Sequence, residues 1–191
     1  MSLKKLLIPF FLLIALSGCR KEPSPAQKAL DFRTALLEAG GCSYTALIHA
    51  DYGERTYSFT VDCTYHVDGT ASLTVLQPEE IAGISAEISG AGAIVEFQDL
   101  ALDFGQMADG TVSPVEVCHL LGQCWGGAYI DSSGKDGEME RISYLYGYEE
   151  EQLAVDTWLD QTGVPVCADV MYENVRCLHV QLTDFRFEED L

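Results

Sequence analysis

The residues of this chain that could do chemistry are its cysteines, its histidines and two acidic clusters. There are seven cysteines and four histidines in 191 residues. Cys124 stands before a tryptophan in "GQCWGG", and a Cys-Trp pair suggests a thiol nucleophile. Such a nucleophile needs an adjacent base and donors for the developing oxyanion. Here Gly126-Gly127 reads as a turn, and the chain carries no nucleophile elbow, phosphate loop or dinucleotide fingerprint. Six cysteines (Cys42, Cys63, Cys118, Cys124, Cys167 and Cys177) form an even set, which disulfides explain better than catalysis. His49, His66, His119 and His179 fall in separate predicted elements without metal-ligand spacing, so they read as solvated strand and helix residues. The clusters at Tyr148–Glu151 and Phe187–Asp190 lack the spaced Asp/Asn/Gly pattern of a calcium loop and read as solvated charge. No catalytic residue, metal or cofactor is therefore expected, and the protein is expected not to be an enzyme.

The seventh cysteine is of another kind. Lys4 and Lys5 precede an apolar run from Leu6 to Leu16, broken only by Pro9. The run falls short of the roughly 20 apolar residues of a membrane span, so residues 1–18 read as a secretory signal. Its end, Leu16-Ser17-Gly18-Cys19, resembles the lipobox of bacterial lipoproteins. By that resemblance the Cys19 thiol receives a diacylglyceryl group and cleavage falls between Gly18 and Cys19. The protein would then be held on the outer face of the cell membrane, or on a spore membrane, through the lipid on Cys19. Residues 19–25 would be the lipidated cysteine and a short tether, about 20 Å in reach at roughly 3.1–3.5 Å per residue. An exported location also permits disulfides among the other six cysteines.

Charge excludes several functions. With 30 Asp and Glu against 11 Lys and Arg, the net charge is −19. Nucleic acid is excluded as a partner because its phosphates require a basic face.

The elements that must position these residues are mostly strands. Ser24-Pro25 reads as an N-cap and first helical residue, opening a helix with an apolar stripe that Gly40-Gly41 stops. From Cys42 the period changes to two. In "RTYSFTVDCTYH" Tyr57, Phe59, Val61, Cys63 and Tyr65 alternate with polar residues, which predicts an antiparallel strand with one wet face. A turn centred on Tyr52-Gly53 sets Cys42 opposite Cys63. That is the favoured disulfide, closing a loop of about 22 residues and contributing roughly 3 kcal/mol. Further strands are predicted around Leu73–Val75, Ile84–Ile88, Val95–Phe97 and Leu100–Phe104.

Ser113-Pro114-Val115-Glu116 reads as a capping box for a second helix that runs to about Leu121, with Gly122 breaking it. Such a break would let Cys118 reach Cys124. "DSSGKDGE" reads as a loop. Strands follow at 138–146 and 152–159, and a closing hairpin at 164–170 and 175–187 could bring Cys167 opposite Cys177. Phe185 and Phe187 need a bulge near Thr183-Asp184 to share the face of Leu178, Val180 and Leu182.

About ten antiparallel strands with one apolar face expose more than two helices can cover, so the sheet must curl on itself. The interior is then either packed solid or hollow. The order of elements, with "VLQPEEIAGI", "SPVEVCHLL" and "TGVP" at their places along residues 26–187, resembles the LolA-like lipoprotein-carrier superfamily. It is most similar to membrane-anchored members from Gram-positive bacteria, such as a clostridial spore-germination lipoprotein. The resemblance implies a mostly β domain over 26–191: an unclosed β-barrel with two helices as a lid over an apolar cavity. It also implies a hydrophobic, acyl-chain ligand or, alternatively, an envelope or spore protein as partner of a solid adaptor. The expected lining is Tyr57, Phe59, Val61, Tyr65, Leu73, Val75, Ile84, Ile88, Val95 and Phe97. The soluble carrier of that superfamily uses an arginine to trigger its lid. No matching arginine is evident here, and Arg33 on the first helix reads as a snorkelling residue.

Overall fold

The computed structural model describes residues 23–53, 55–90, 92–97, 100–104, 107–108, 111–148 and 152–188. At residues 97, 100–104, 107–108 and 111–112 the description is of the backbone. The signal segment, the lipobox with Cys19 and its tether up to Glu22, and the acidic residues 149–151 and 189–190 lie outside it.

Helix α1 spans Pro25–Ala39, and Ser24 caps it by accepting a hydrogen bond from the Gln27 amide. Gly40 ends it in the left-handed conformation, φ 82°, that glycine adopts without penalty. The chain then runs at once into β1 (Gly41–Asp51) and β2 (Thr56–His66), followed by β3 (Ala71–Gln77), β4 (Ser85–Ser89), β5 (Gly92–Phe97) and β6 (Leu100–Phe104). Two short strands, β7 (Met107–Ala108) and β8 (Thr111–Val112), form a separate ribbon. Helix α2 (Val117–Gly127) is followed by β9 (Tyr129–Asp136), β10 (Met139–Tyr146), β11 (Leu153–Leu159), β12 (Pro165–Tyr172) and β13 (Val175–Phe187).

Eleven strands make one antiparallel sheet in the order β6-β5-β4-β3-β2-β1-β13-β12-β11-β10-β9. Its two edges, β6 and β9, do not pair, so the barrel stays open. Helix α2 touches β2 and β3 on one side and β10 on the other, and α1 touches β1, β13, β9 and β10. A sheet whose distant strands meet the same helix is curled around it. The mostly β, unclosed, two-helix architecture expected from the sequence is thus present, with eleven strands in the sheet.

The core lies on the concave face. Val61, Cys63 and Tyr65 of β2 are buried while Asp62 and His66 are exposed, as the alternation predicts. Ala29, Phe32 and Leu36 give α1 its buried stripe. The left-handed residue Asp184, φ 53°, coincides with a register shift between Thr183 and Arg186 opposite β1. That bulge turns Phe185 and Phe187 inward, where both rings lie 5.7 Å from Phe32.

Four expectations are corrected. The β1–β2 register pairs Cys42 with Tyr65 and Tyr44 with Cys63, because the hairpin closes through a longer turn in which the Tyr52 amide donates to the Arg55 carbonyl. Cys42 is therefore two residues away from Tyr44, the position that faces Cys63. The Cys63 disulfide is instead to Cys118 on α2, and Cys42, Cys124, Cys167 and Cys177 are free. The β12–β13 register likewise sets Cys167 opposite Gln181, away from Cys177.

Gly122 does not break α2. A Cβ there would meet the Tyr65 ring at 2.1 Å, so the glycine serves close approach of the helix to the sheet. Cys118 and Cys124 remain six residues apart on one unbroken helix and cannot bridge. Finally, residues 129–136 form strand β9 and not a loop. Its mostly exposed, polar side chains hide the alternation that marks a strand. They also suit an open sheet edge, where charge discourages pairing with another chain.

Candidate functional site

The expected lining residues do not surround one open space. Val61, Tyr65, Leu73, Val75 and Ile88 are buried in a single packed cluster with α1 and α2. Phe59, Ile84 and Val95 pack against that cluster half-buried. Tyr57 is 48% exposed near the end of its hairpin, and the Phe97 side chain lies outside the described residues. These positions of β2, β3 and β4 thus belong to the core or its margin. The steric reason is Tyr65, whose ring fills the space up to the backbone of Gly122.

An open groove lies on the other flank of α2. It has a volume of about 800 Å³ and runs along the helix from Glu116 past His119, Leu120 and Gln123 to Gly127 and Ala128. Its opposite wall is Tyr129 of β9 and the end of the β10–β11 hairpin: Leu145, Tyr146, Gly147, Tyr148, Gln152 and Leu153. Drug-sized and lipid-sized ligands occupy clefts of roughly 300–1,000 Å³ with mostly apolar walls and a few fixed polar groups. Tyr129 and Tyr148, 68% and 89% exposed, stand in this wall as large uncovered rings. The alternation of Tyr144, Tyr146 and Tyr148 foretold pairing or packing. In the structure Tyr144 is in the core, Tyr146 is half-buried in the groove wall and Tyr148 is exposed. Sequence reading missed the groove because its residues come from three stretches, 116–129, 145–148 and 152–153, that only the tertiary fold brings together.

Two basic residues of α1 hold the surrounding walls. The Arg33 guanidinium donates to the carbonyls of Trp125 (2.8 Å), Cys124 (3.2 Å) and Ala128 (2.7 Å), closing the C-terminal turn of α2. It therefore does not snorkel: it satisfies carbonyls that the helix end would leave bare and sits at the negative end of the helix dipole. Lys28 reaches the buried carboxylate of Glu140 on β10 at 2.8 Å. Arg33→Met keeps the aliphatic stem but strips three acceptors of a charged donor. It should cost about 2–3 kcal/mol in chemical denaturation and speed amide exchange in the last turn of α2. Lysine should not restore it, because an ammonium cannot reproduce the fork of donors.

The carboxyl and the imidazole of the groove stand on its helix side. Ser113 accepts from the Val115 amide, one residue before the amide a capping box uses, and Glu116 makes no capping hydrogen bond. Its Oε1 is buried and has no partner. Burial raises its carboxyl to about 7. Burial also holds His119 below its ordinary value, against a hydrogen bond to the Gly69 backbone that pulls the other way.

The remaining histidines lie on the convex face or at its margin. His49 and His179 face each other across β1–β13 with rings stacked at 6.3 Å, and His179 Nδ1 is 2.6 Å from Asp169. His66 pairs with Glu188. Sequence separation concealed the first pairing. Among the described residues no group of three or more His, Cys, Asp or Glu side chains is placed to hold a metal ion.

Fold and site together define a class: an open antiparallel β-sheet curled on two helices, with an apolar groove along the second. An outer membrane lipoprotein-sorting assignment attaches to one solved structure of this shape, a domain from Vibrio parahaemolyticus. It matches with a TM-score of 0.53 and 9% identity over 88% of this chain and 93% of that one. A LolA superfamily protein from Nitrosomonas europaea matches at 0.48 and 7% identity over 88% of this chain and 95% of that one. The GerS lipoprotein complex with the CwlD amidase of Clostridioides difficile gives 0.42 and 13% identity over 88% and 99%. At these identities the likeness is one of fold. No family profile and no curated protein sequence matches the chain.

Proposed function

We propose that this protein is an exported, non-enzymatic lipoprotein, anchored through lipid on Cys19, that binds the acyl chain of a hydrophobic ligand in the groove along α2. The groove carries the reading: it is open, of ligand size, and walled by Leu120, Leu145, Leu153 and three tyrosines. Burying one methylene of an acyl chain there contributes about 0.8 kcal/mol, so a chain half in the groove binds measurably.

Protein spanning residues 20–191, purified oxidised, should carry lipid visible by native mass spectrometry, or take up an added apolar dye. A bare mass with no uptake would defeat the carrier reading. The full chain with Cys19→Ala should leave the membrane fraction; retention there would defeat the anchor.

One observation favours a second reading. Val61, Tyr65, Leu73, Val75 and Ile88, expected to line a cavity, are buried in the core cluster, which suits an adaptor for another envelope or spore protein. That reading gains if the groove takes up neither lipid nor dye.

A further inference from the structure

We infer that the groove selects an acyl lipid whose polar end is uncharged, a glycerol ester or an amide, and that Glu116 is the residue that selects it. This rests on the carrier reading above and sharpens it. A fatty-acid anion in an apolar groove needs a cation or a set of donors to replace its water. The described lining of this groove contains no lysine or arginine. The one imidazole in the wall, His119, is held toward its neutral form by burial. Among the described lining an anionic head would thus meet the Glu116 carboxylate and no counter-charge.

A neutral head meets the opposite situation. Glu116 stands at the N-terminal end of α2, where a carboxylate ordinarily takes an amide hydrogen bond, yet its side chain makes none. Ser113 has already taken the Val115 amide. A buried polar atom without a partner costs on the order of 1–3 kcal/mol, so a side-chain rotation that brings this carboxyl onto a polar group of a bound ligand recovers it. In its protonated form a carboxyl offers one O–H and one acceptor oxygen. An ester carbonyl accepts the first and a neighbouring hydroxyl donates to the second, so a monoacylglycerol satisfies both. The other titratable groups of the groove lining are His119 of α2, Tyr129 of β9, and Tyr146 and Tyr148 of β10 and its turn. None is a fixed cation. With its carboxyl raised to about 7, Glu116 is largely protonated at pH 6 and largely ionised at pH 8. If only the protonated form binds, affinity should fall about tenfold over that interval.

The test uses protein spanning residues 20–191, which holds every described element, with displacement of an apolar dye by 1-monopalmitoylglycerol and by palmitate. The ester should compete at least tenfold more tightly than palmitate at pH 8 and should itself weaken about tenfold between pH 6 and pH 8. Glu116→Gln, neutral at every pH and still donor and acceptor, should keep the pH 6 affinity for the ester and abolish the pH dependence. Glu116→Lys should shift preference toward palmitate. Palmitate binding as tightly as the ester, or an unchanged pH profile in Glu116→Gln, would overturn the inference and leave the carrier reading standing. Failure of dye and both lipids to bind would remove both.

Discussion

Replacing Cys63 and Cys118 together by alanine should lower the stability of the oxidised protein by roughly 4 kcal/mol, the loop-closure contribution of a link over such a long segment. The two cysteines are 55 residues apart, and both sulfurs are buried between β2 and the first turn of α2. The bond is thus the covalent tie between the helix and the strand it packs on. Guanidinium unfolding with and without reductant isolates it. Wild type should fall to the level of the double variant when reduced, and the double variant should be indifferent to reductant.

The four other described cysteines, Cys42, Cys124, Cys167 and Cys177, should remain thiols. Burial, and secondarily Glu188, pushes Cys42 up to about 12, and burial pushes Cys124 up further still. Since the thiolate is the reactive form, neither should alkylate in the native protein at neutral pH. Unfolding without reductant should expose four thiols, and peptide mapping should recover the Cys63–Cys118 link. Recovery of a Cys42–Cys63 link would instead mean that the β1–β2 hairpin is shifted by two residues.

That hairpin shows where sequence reading reaches its limit. Strict alternation from Thr56 to His66 identified which side chains turn inward, because a strand with one wet face has a period that composition alone reveals. It could not set the register, which depends on the length and hydrogen bonding of a turn. A two-residue difference preserves the inward face of both strands and changes every cross-strand neighbour. Local chemistry was legible elsewhere as well: Ser24-Pro25 at the start of α1, Gly40 at its end, the bulge at Asp184. Gly122 was misread because a glycine in a helix has two meanings, a break or a close approach. Only the ring of Tyr65, 57 positions earlier in the chain, decides between them. The groove was illegible for the same reason. Glu116 looks like half of a capping box until the structure shows the helix start satisfied by Ser113 alone.

Trp125→Ala should be the most damaging single substitution away from the disulfide, at about 3–5 kcal/mol. The indole is fully buried and meets Phe32 at 5.8 Å, Tyr44 at 5.6 Å and Phe185 at 6.1 Å. It is where α1, α2, β1 and the bulged end of β13 come together. Its Nε1 donates to the hydroxyl of Thr157 on β11 at 3.1 Å, and Thr157 is itself wholly buried. Alanine therefore leaves both a large void and an unpaired hydroxyl. Trp125→Phe separates the two, since it fills most of the void and removes only the donor; about 1–2 kcal/mol is expected.

The tryptophan carbonyl is also one of the acceptors of Arg33. If the end of α2 moves into the void as a unit, Arg33 loses its geometry at the same time. Combining Trp125→Ala with Arg33→Met should then cost less than the two separate losses by more than 0.5 kcal/mol, the scale of coupling between contacting residues. The groove supplies a second readout, because Gly127 and Ala128 at that helix end are part of its wall. Trp125→Ala should weaken uptake of an apolar dye under conditions where the variant is still folded, whereas Trp125→Phe should bind it like wild type.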